Sequence, residues 1–137
     1  MLSIEQLKSR VGMEWELGAC EVERGTIQRF VRAIDDPNPL WQGAEIAPPT
    51  FALTVGFVQI LQELLLATSG ALLHGSTELE CHSIICAGDL IKATAKITGI
   101  RERQSERGKM VFITLDITLT NQNKELVAKC RQMVVQY

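Results

Sequence analysis

The sequence predicts an α+β fold in which helices from the first half pack on an antiparallel sheet built from the second. Three observations predict it. Ile27, Phe30, Val31 and Ile34 recur at helical spacing, the stretch 51–73 is almost continuously apolar, and residues 111–120 alternate apolar and polar side chains. A long apolar helix needs burial nearly all round, and a strongly curved sheet wrapped around it would supply that burial. Residues 1–137 are expected to form one domain, because 137 residues with 46% hydrophobic content suffice for one stable core.

The elements follow in order. Ser3 can cap a first helix with Gln6 reaching back, and Gly12 would end it. A second helix is expected after Thr26, read as its N-cap, over the Ile27–Ile34 stripe. Asp-Pro-Asn-Pro cannot continue that helix, since each proline lacks an amide hydrogen and biases its predecessor towards extended backbone, so residues 35–49 read as a loop. Pro48-Pro49 fits the first turn of the long helix, which is expected to run from Thr50 to about Thr68. From about residue 78 the period changes. Leu90 to Ile100, Val111 to Thr120 and Leu126 to Gln136 read as strands, separated by Arg101 to Lys109 and by Asn121-Gln122-Asn123-Lys124, which suggests successive hairpins.

Composition narrows the function. A net charge of −2 makes no overall case for nucleic acid or an anionic membrane. The apolar stretch 51–73 is broken by Gln59, Gln62 and Glu63, so a buried helix is expected and no membrane insertion. The N-terminus lacks the basic head and apolar run of a secretory signal. Four scattered cysteines, Cys20, Cys81, Cys86 and Cys130, are expected as reduced thiols in a cytoplasmic protein.

The most informative stretch is Asp35-Asp36-Pro37-Asn38-Pro39-Leu40-Trp41. It resembles the hydratase signature of MaoC-like proteins, a Gly-Asp-x-Asn-Pro-Leu-His run that carries a catalytic aspartate and histidine. Ile46-Ala47-Pro48-Pro49-Thr50-Phe51, Leu73-His74-Gly75, Ala87-Gly88-Asp89 and Asn121-Gln122 resemble the same family in the same order. The chain is most similar to its FAS1-like dehydratase N-terminal-domain subgroup. That resemblance implies a hot-dog fold, with units paired edge to edge, and acyl thioesters of coenzyme A or acyl carrier protein as substrates. It implies no bound cofactor. The implied reaction interconverts trans-2-enoyl and (R)-3-hydroxyacyl thioesters, a step in lipid metabolism.

This chemistry requires an activated water at the β-carbon, a proton at the α-carbon and stabilisation of the thioester oxygen. Carried over residue by residue, the family aspartate falls on Asp36 and the structural asparagine, grouped with the substrate-binding positions, on Asn38. The histidine falls on Trp41, whose indole is a donor only. Loss of such a group typically costs roughly 10²–10⁴ in rate. Many active relatives have His-Gly where this chain has Pro48-Pro49, so Pro49 offers no amide to the oxygen, leaving the amides of Thr50 and Phe51. Asp35 replaces the glycine before the catalytic aspartate. Without the family, Asp35 and Asp36 would read as ordinary turn formers beside Pro-Asn-Pro.

The resemblance therefore implies a catalytically incomplete subunit that shapes an acyl channel beside a complete Asp/His subunit, in a heterodimer or heterotetramer, with Trp41 filling the vacated pocket or a subunit contact. Three alternatives stay open. A self-sufficient homodimer could use a relocated proton donor, for which His74 and His82 are the only histidines. The chain could be a non-catalytic acyl-thioester-binding module. Or it could be a hot-dog thioesterase in which Glu63 activates water with Gln59 or Gln62, although that trio also fits a polar helix face turned to water. Cys81-His82-Ser83-Ile84-Ile85-Cys86 matches no common zinc spacing and reads as a strand with buried thiols, so no metal is expected.

Overall fold

The computed structural model describes residues 3–67 and 70–137. The elements are α1 (Ile4–Ser9), β1 (Glu14–Glu21), α2 (Arg24–Ala33), a short α3 (Pro39–Gln42), a 3₁₀ helix (Pro49–Thr54), α4 (Phe57–Ala67), β2 (Leu72–Cys81), β3 (Leu90–Ser105), β4 (Gly108–Thr120) and β5 (Leu126–Gln136). The strands form one antiparallel sheet in the order β1-β3-β4-β5-β2, so β1 and β2 are its edges. This is the expected α+β architecture.

Alternation in β4 sets the core. Val111, Ile113, Leu115, Ile117 and Leu119 are all buried, joined on β3 by Ile91, Ala93, Ala95 and Ile97. Ile27 and Val31 of α2 and Ile60 and Leu64 of α4 belong to the same cluster. On the opposite face of the sheet, Glu14, Lys96, Asp116, Arg131 and Glu78 stand side by side across all five strands, alternating in sign. Arg131 donates two hydrogen bonds to Asp116, at 2.8 and 2.9 Å. A concavity of about 650 Å³ on this face is lined by these mutually compensating charges, as expected of a sheet face turned to water.

Ser3 caps α1 as anticipated: its Oγ accepts from the Gln6 amide at 3.2 Å while its own amide donates to Gln6 Oε1 at 2.7 Å. Several expectations are corrected. The second helix begins earlier, at Arg24, with Glu23 at its N-cap, because the amides of Thr26 and Ile27 both donate to the Glu23 carbonyl. The loop 35–49 contains α3, one turn capped by Asn38. The single long helix is two pieces, divided at Gly56. This residue has φ +82°, and a Cβ there would stand 3.0 Å from Ala93 Cβ and 3.2 Å from Leu17 Cδ1. Only glycine admits that close approach of helix to sheet. Nor is the helix buried all round, since Val58 is 55% exposed. Its expected end at Thr68 lies outside the described residues.

Two strands, β1 and β2, were not foreseen. In both the period of two is broken by a register shift, between Glu16 and Gly18 in β1 and between His74 and Ser76 in β2. The segment Arg101 to Lys109 is not a separating loop: β3 and β4 stay paired to Ser105 and Gly108, and this end is polar because it projects beyond the core. The cysteine segment is not a strand of buried thiols either. Cys81 is exposed at the end of β2, Cys86 is half-buried beyond it, and the buried thiol is Cys130 on β5. No helix among the described residues is long and apolar enough to cross a membrane.

Candidate active site

The signature loop folds onto itself. Asp36 Oδ1 accepts from the Asn38 amide at 2.9 Å, and its Oδ2 accepts from Trp41 Nε1 at 2.7 Å. Gln42 Nε2 donates to the Asp36 carbonyl at 2.9 Å and to the Asn38 carbonyl at 3.2 Å. Asn38 Oδ1 accepts from the Leu40 amide at 3.0 Å and so caps α3. Both oxygens of the Asp36 carboxylate therefore hold the turn. The indole of Trp41 can only donate. Asp35 has φ +51°, so it supplies without a glycine the left-handed backbone that the position demands.

Beside this loop lies a cleft of about 410 Å³, lined by Leu40, Trp41 and Ile46 to Pro49 on one wall and by Cys81 to Ile85 on another, with Ala52, Val127 and Ala128 between. Its size is that of a small-molecule site. Most of the lining is apolar, and the large side chains Leu40 and Ile84 at its rim are 62% and 65% exposed. Asp36 is not among the lining residues, whereas Trp41 is: the carboxylate is held away from the cleft by the indole that it binds.

The remaining sequence candidates separate. Pro49 lines the cleft; Thr50 and Phe51 do not. The Phe51 amide already donates to the Pro48 carbonyl at 2.9 Å, and its ring packs edge-on against Phe30, with centroids 5.4 Å apart. Of the two amides expected to hold a thioester oxygen, only that of Thr50 has no backbone acceptor among the described residues. Gln59, Gln62 and Glu63 are exposed on α4; Glu63 borders a minor recess beside Trp15 and Arg10 and does not line the cleft.

His74 supports the fold. Its Nε2 lies 2.8 Å from the Oε1 of Gln132, the one buried polar residue described, which also binds Thr77. The bulge at Gly75 aims both His74 and Thr77 at it. Ala87-Gly88-Asp89 and Asn121-Gln122 meet in space: Gln122 Nε2 donates to Asp89 Oδ1 at 3.0 Å, and Asp89 Oδ2 accepts from the Cys86 amide at 2.8 Å. They fix the entry to β3 and lie off the cleft. Sequence reasoning missed the relation between Glu80 and His82: His82 lines the cleft, and its Nε2 is 2.6 Å from Glu80 Oε1. Glu-x-His in a period-two stretch was the available signal, since it puts both residues on one face. No cluster of three or more His, Cys, Asp or Glu able to hold a metal occurs among the described residues.

The family model described as FAS1-like, dehydratase domain region matches residues 9–130. A UPF0336 protein of Streptomyces avermitilis is 30% identical over 95 residues, covering 59% of this chain and 63% of its own length. A UPF0336 protein of Parafrankia sp. is 30% identical over 127 residues, covering 80% of this chain and 79% of its own. Among solved structures, the HadBC (3R-hydroxyacyl-ACP dehydratase) complex of Mycobacterium tuberculosis matches with TM-score 0.76 and 22% identity over 92% of this chain and 96% of that one. The ChsH1-ChsH2 complex of the same organism matches with TM-score 0.67 and 18% identity over 88% of this chain and 89% of that one. At these identities the likeness shows the fold, which is that of the hot-dog proteins.

Proposed function

The chain belongs to the FAS1-like dehydratase domain family, and from that premise we propose that it is the supporting subunit of a hydratase/dehydratase that interconverts trans-2-enoyl and (R)-3-hydroxyacyl thioesters. The observation that carries this reading is the bond from Trp41 Nε1 to Asp36 Oδ2. A carboxylate whose oxygens already accept from an indole and a backbone amide has no imidazole beside it with which to share a water. The loop keeps the family's shape and gives up its acid–base pair.

Two further observations favour work beside a complete Asp/His subunit. β2 is an open edge strand, with one row of backbone groups available to a second hot-dog unit. The cleft wall of Leu40, Trp41, Ile46 and Ile84 suits an acyl chain better than the polar atoms of a reacting thioester. In this reading residues 1–137 form one domain, the acyl group is carried on coenzyme A or acyl carrier protein, and the four unpaired thiols suit the cytoplasm.

The test is hydration of a trans-2-enoyl-coenzyme A, followed by loss of the enoyl thioester, with the chain alone and co-expressed with a complete hydratase subunit. Turnover by the chain alone should fall short of the pair by about 10²-fold or more. Full turnover from the chain alone, abolished by Asp36→Asn, would overturn the reading. Release of free coenzyme A that depends on Glu63 would replace it with a thioesterase.

A further inference from the structure

The wall of the cleft formed by residues 81–85 carries a group that the signature loop lacks. Glu80 ends the polar face of β2, and His82 follows two residues later, its Nε2 2.6 Å from Glu80 Oε1. A carboxylate oxygen only accepts, so Nε2 carries the hydrogen and Nδ1 of the neutral ring keeps its lone pair. No hydrogen-bond partner engages Nδ1 among the described residues. The backbone beneath the ring is held firmly. The amides of His82 and Ser83 both donate to the Val127 carbonyl, at 2.9 and 3.1 Å, and Ser83 Oγ donates to the Leu126 carbonyl at 3.0 Å. Of the residues lining the cleft, His82 is the one imidazole.

We infer that His82, oriented by Glu80, is the proton carrier of this chain's own cleft: an imidazole–carboxylate pair at the end of β2, where Asp36 and Trp41 of the loop form none. The inference rests on the reading of the cleft as a site for enoyl thioesters and adds a second acid–base position to the assembly. The step balances without another reactant. Nδ1 takes a proton from water as the water oxygen bonds to C3, and the C2–C3 electron pair moves towards the thioester carbonyl. The imidazolium then returns a proton to C2 as the carbonyl reforms. One hydrogen of the water ends on the new hydroxyl and one is delivered to C2. Glu80 stabilises the imidazolium in between, as a carboxylate behind a catalytic histidine does.

The experiment uses the full chain co-expressed with a complete hydratase subunit whose own aspartate and histidine have been replaced by asparagine and glutamine. Slow hydration of a trans-2-enoyl-coenzyme A is expected. His82→Gln should lower kcat by about 10²-fold with KM little changed. His82→Gly should lose activity likewise and regain part of it with free imidazole in the buffer, which a purely structural histidine would not do. Turnover that survives His82→Gln overturns the inference, as does failure of imidazole to restore the glycine variant when its circular dichroism is native. Silence of this crippled pair, with the intact pair active, overturns it too and leaves the supporting-subunit reading standing. Silence of the intact pair defeats that reading itself.

Discussion

The two walls of the cleft treat their polar groups in opposite ways. On the loop wall, Asp36, Asn38 and Gln42 bind one another, the backbone and Trp41, and of residues 36–42 Leu40 and Trp41 alone line the cleft. On the β2 wall, backbone bonds to Leu126 and Val127 hold residues 82–83 in place, while the imidazole of His82 keeps one nitrogen unengaged. Both walls are rigid, but rigidity serves different ends. In the first it turns a carboxylate inward onto its own loop, and in the second it sets an imidazole on the cleft wall. The two ways of treating polar groups therefore face each other across one cleft.

Four changes break or sharpen that contrast, from the largest expected effect downward. Trp41→His restores the family residue beside Asp36 and should raise hydration by the chain alone by about 10²-fold. An absence of gain, measured on the same enoyl thioester, would show that the oxyanion side at Pro48-Pro49 is also disabled. Asp36→Ala removes the acceptor of two hydrogen bonds and should cost about 2–3 kcal/mol of stability in chemical denaturation, whereas Trp41→Phe, which leaves one carboxylate oxygen unpaired, should cost about 1–2 kcal/mol. Equal costs would mean that the turn does not depend on the carboxylate.

The third concerns pH. Burial, assisted by the neighbouring Cys81 thiol, pushes Cys130 up to about 11. The native chain thus holds this proton more tightly than the unfolded chain. Its contribution to stability is complete below the ordinary thiol value of 9.0 and is lost as pH rises from there through about 11. Denaturation midpoints should fall over that window, and Cys130→Val should flatten the fall. Thiol titration should find the exposed Cys20 and Cys81 reacting well before Cys130. Last, Asp35→Gly relieves a left-handed non-glycine residue and should stabilise the loop by up to about 1 kcal/mol, visible as a small rise in Tm.

Much of the fold was legible because its signals are local. The alternation of Val111 to Thr120 fixes which face of β4 is buried, and Ser3 with Gln6 forms the expected capping box. What escaped depends on contacts far apart in sequence. The break at Gly56 exists because Ala93 and Leu17 leave no room for a side chain, and nothing in an apolar run announces that. β1 was hidden by the bulge that interrupts its alternation.

At the site, the sequence showed a tryptophan where the resembled signature has histidine, but not that its indole would turn back to bind Asp36. A donor-only ring five residues from a carboxylate was a usable hint. Residues 80–82 escaped because Cys81 and Cys86 drew the segment towards a metal or core reading, while Glu-x-His at the end of one strand carried the better signal.

The chain contains two tryptophans, and only one of them touches the cleft. Trp15 packs against the core, with an indole nitrogen that is buried and unpartnered, so Trp15→Phe removes an orphan donor at little cost. The resulting protein would carry a single intrinsic fluorophore, its N–H anchored to Asp36 and its ring on the cleft wall. Emission from Trp41 would then register whatever enters the cleft, without a label and without turnover, which makes this residue an optical probe of the cleft.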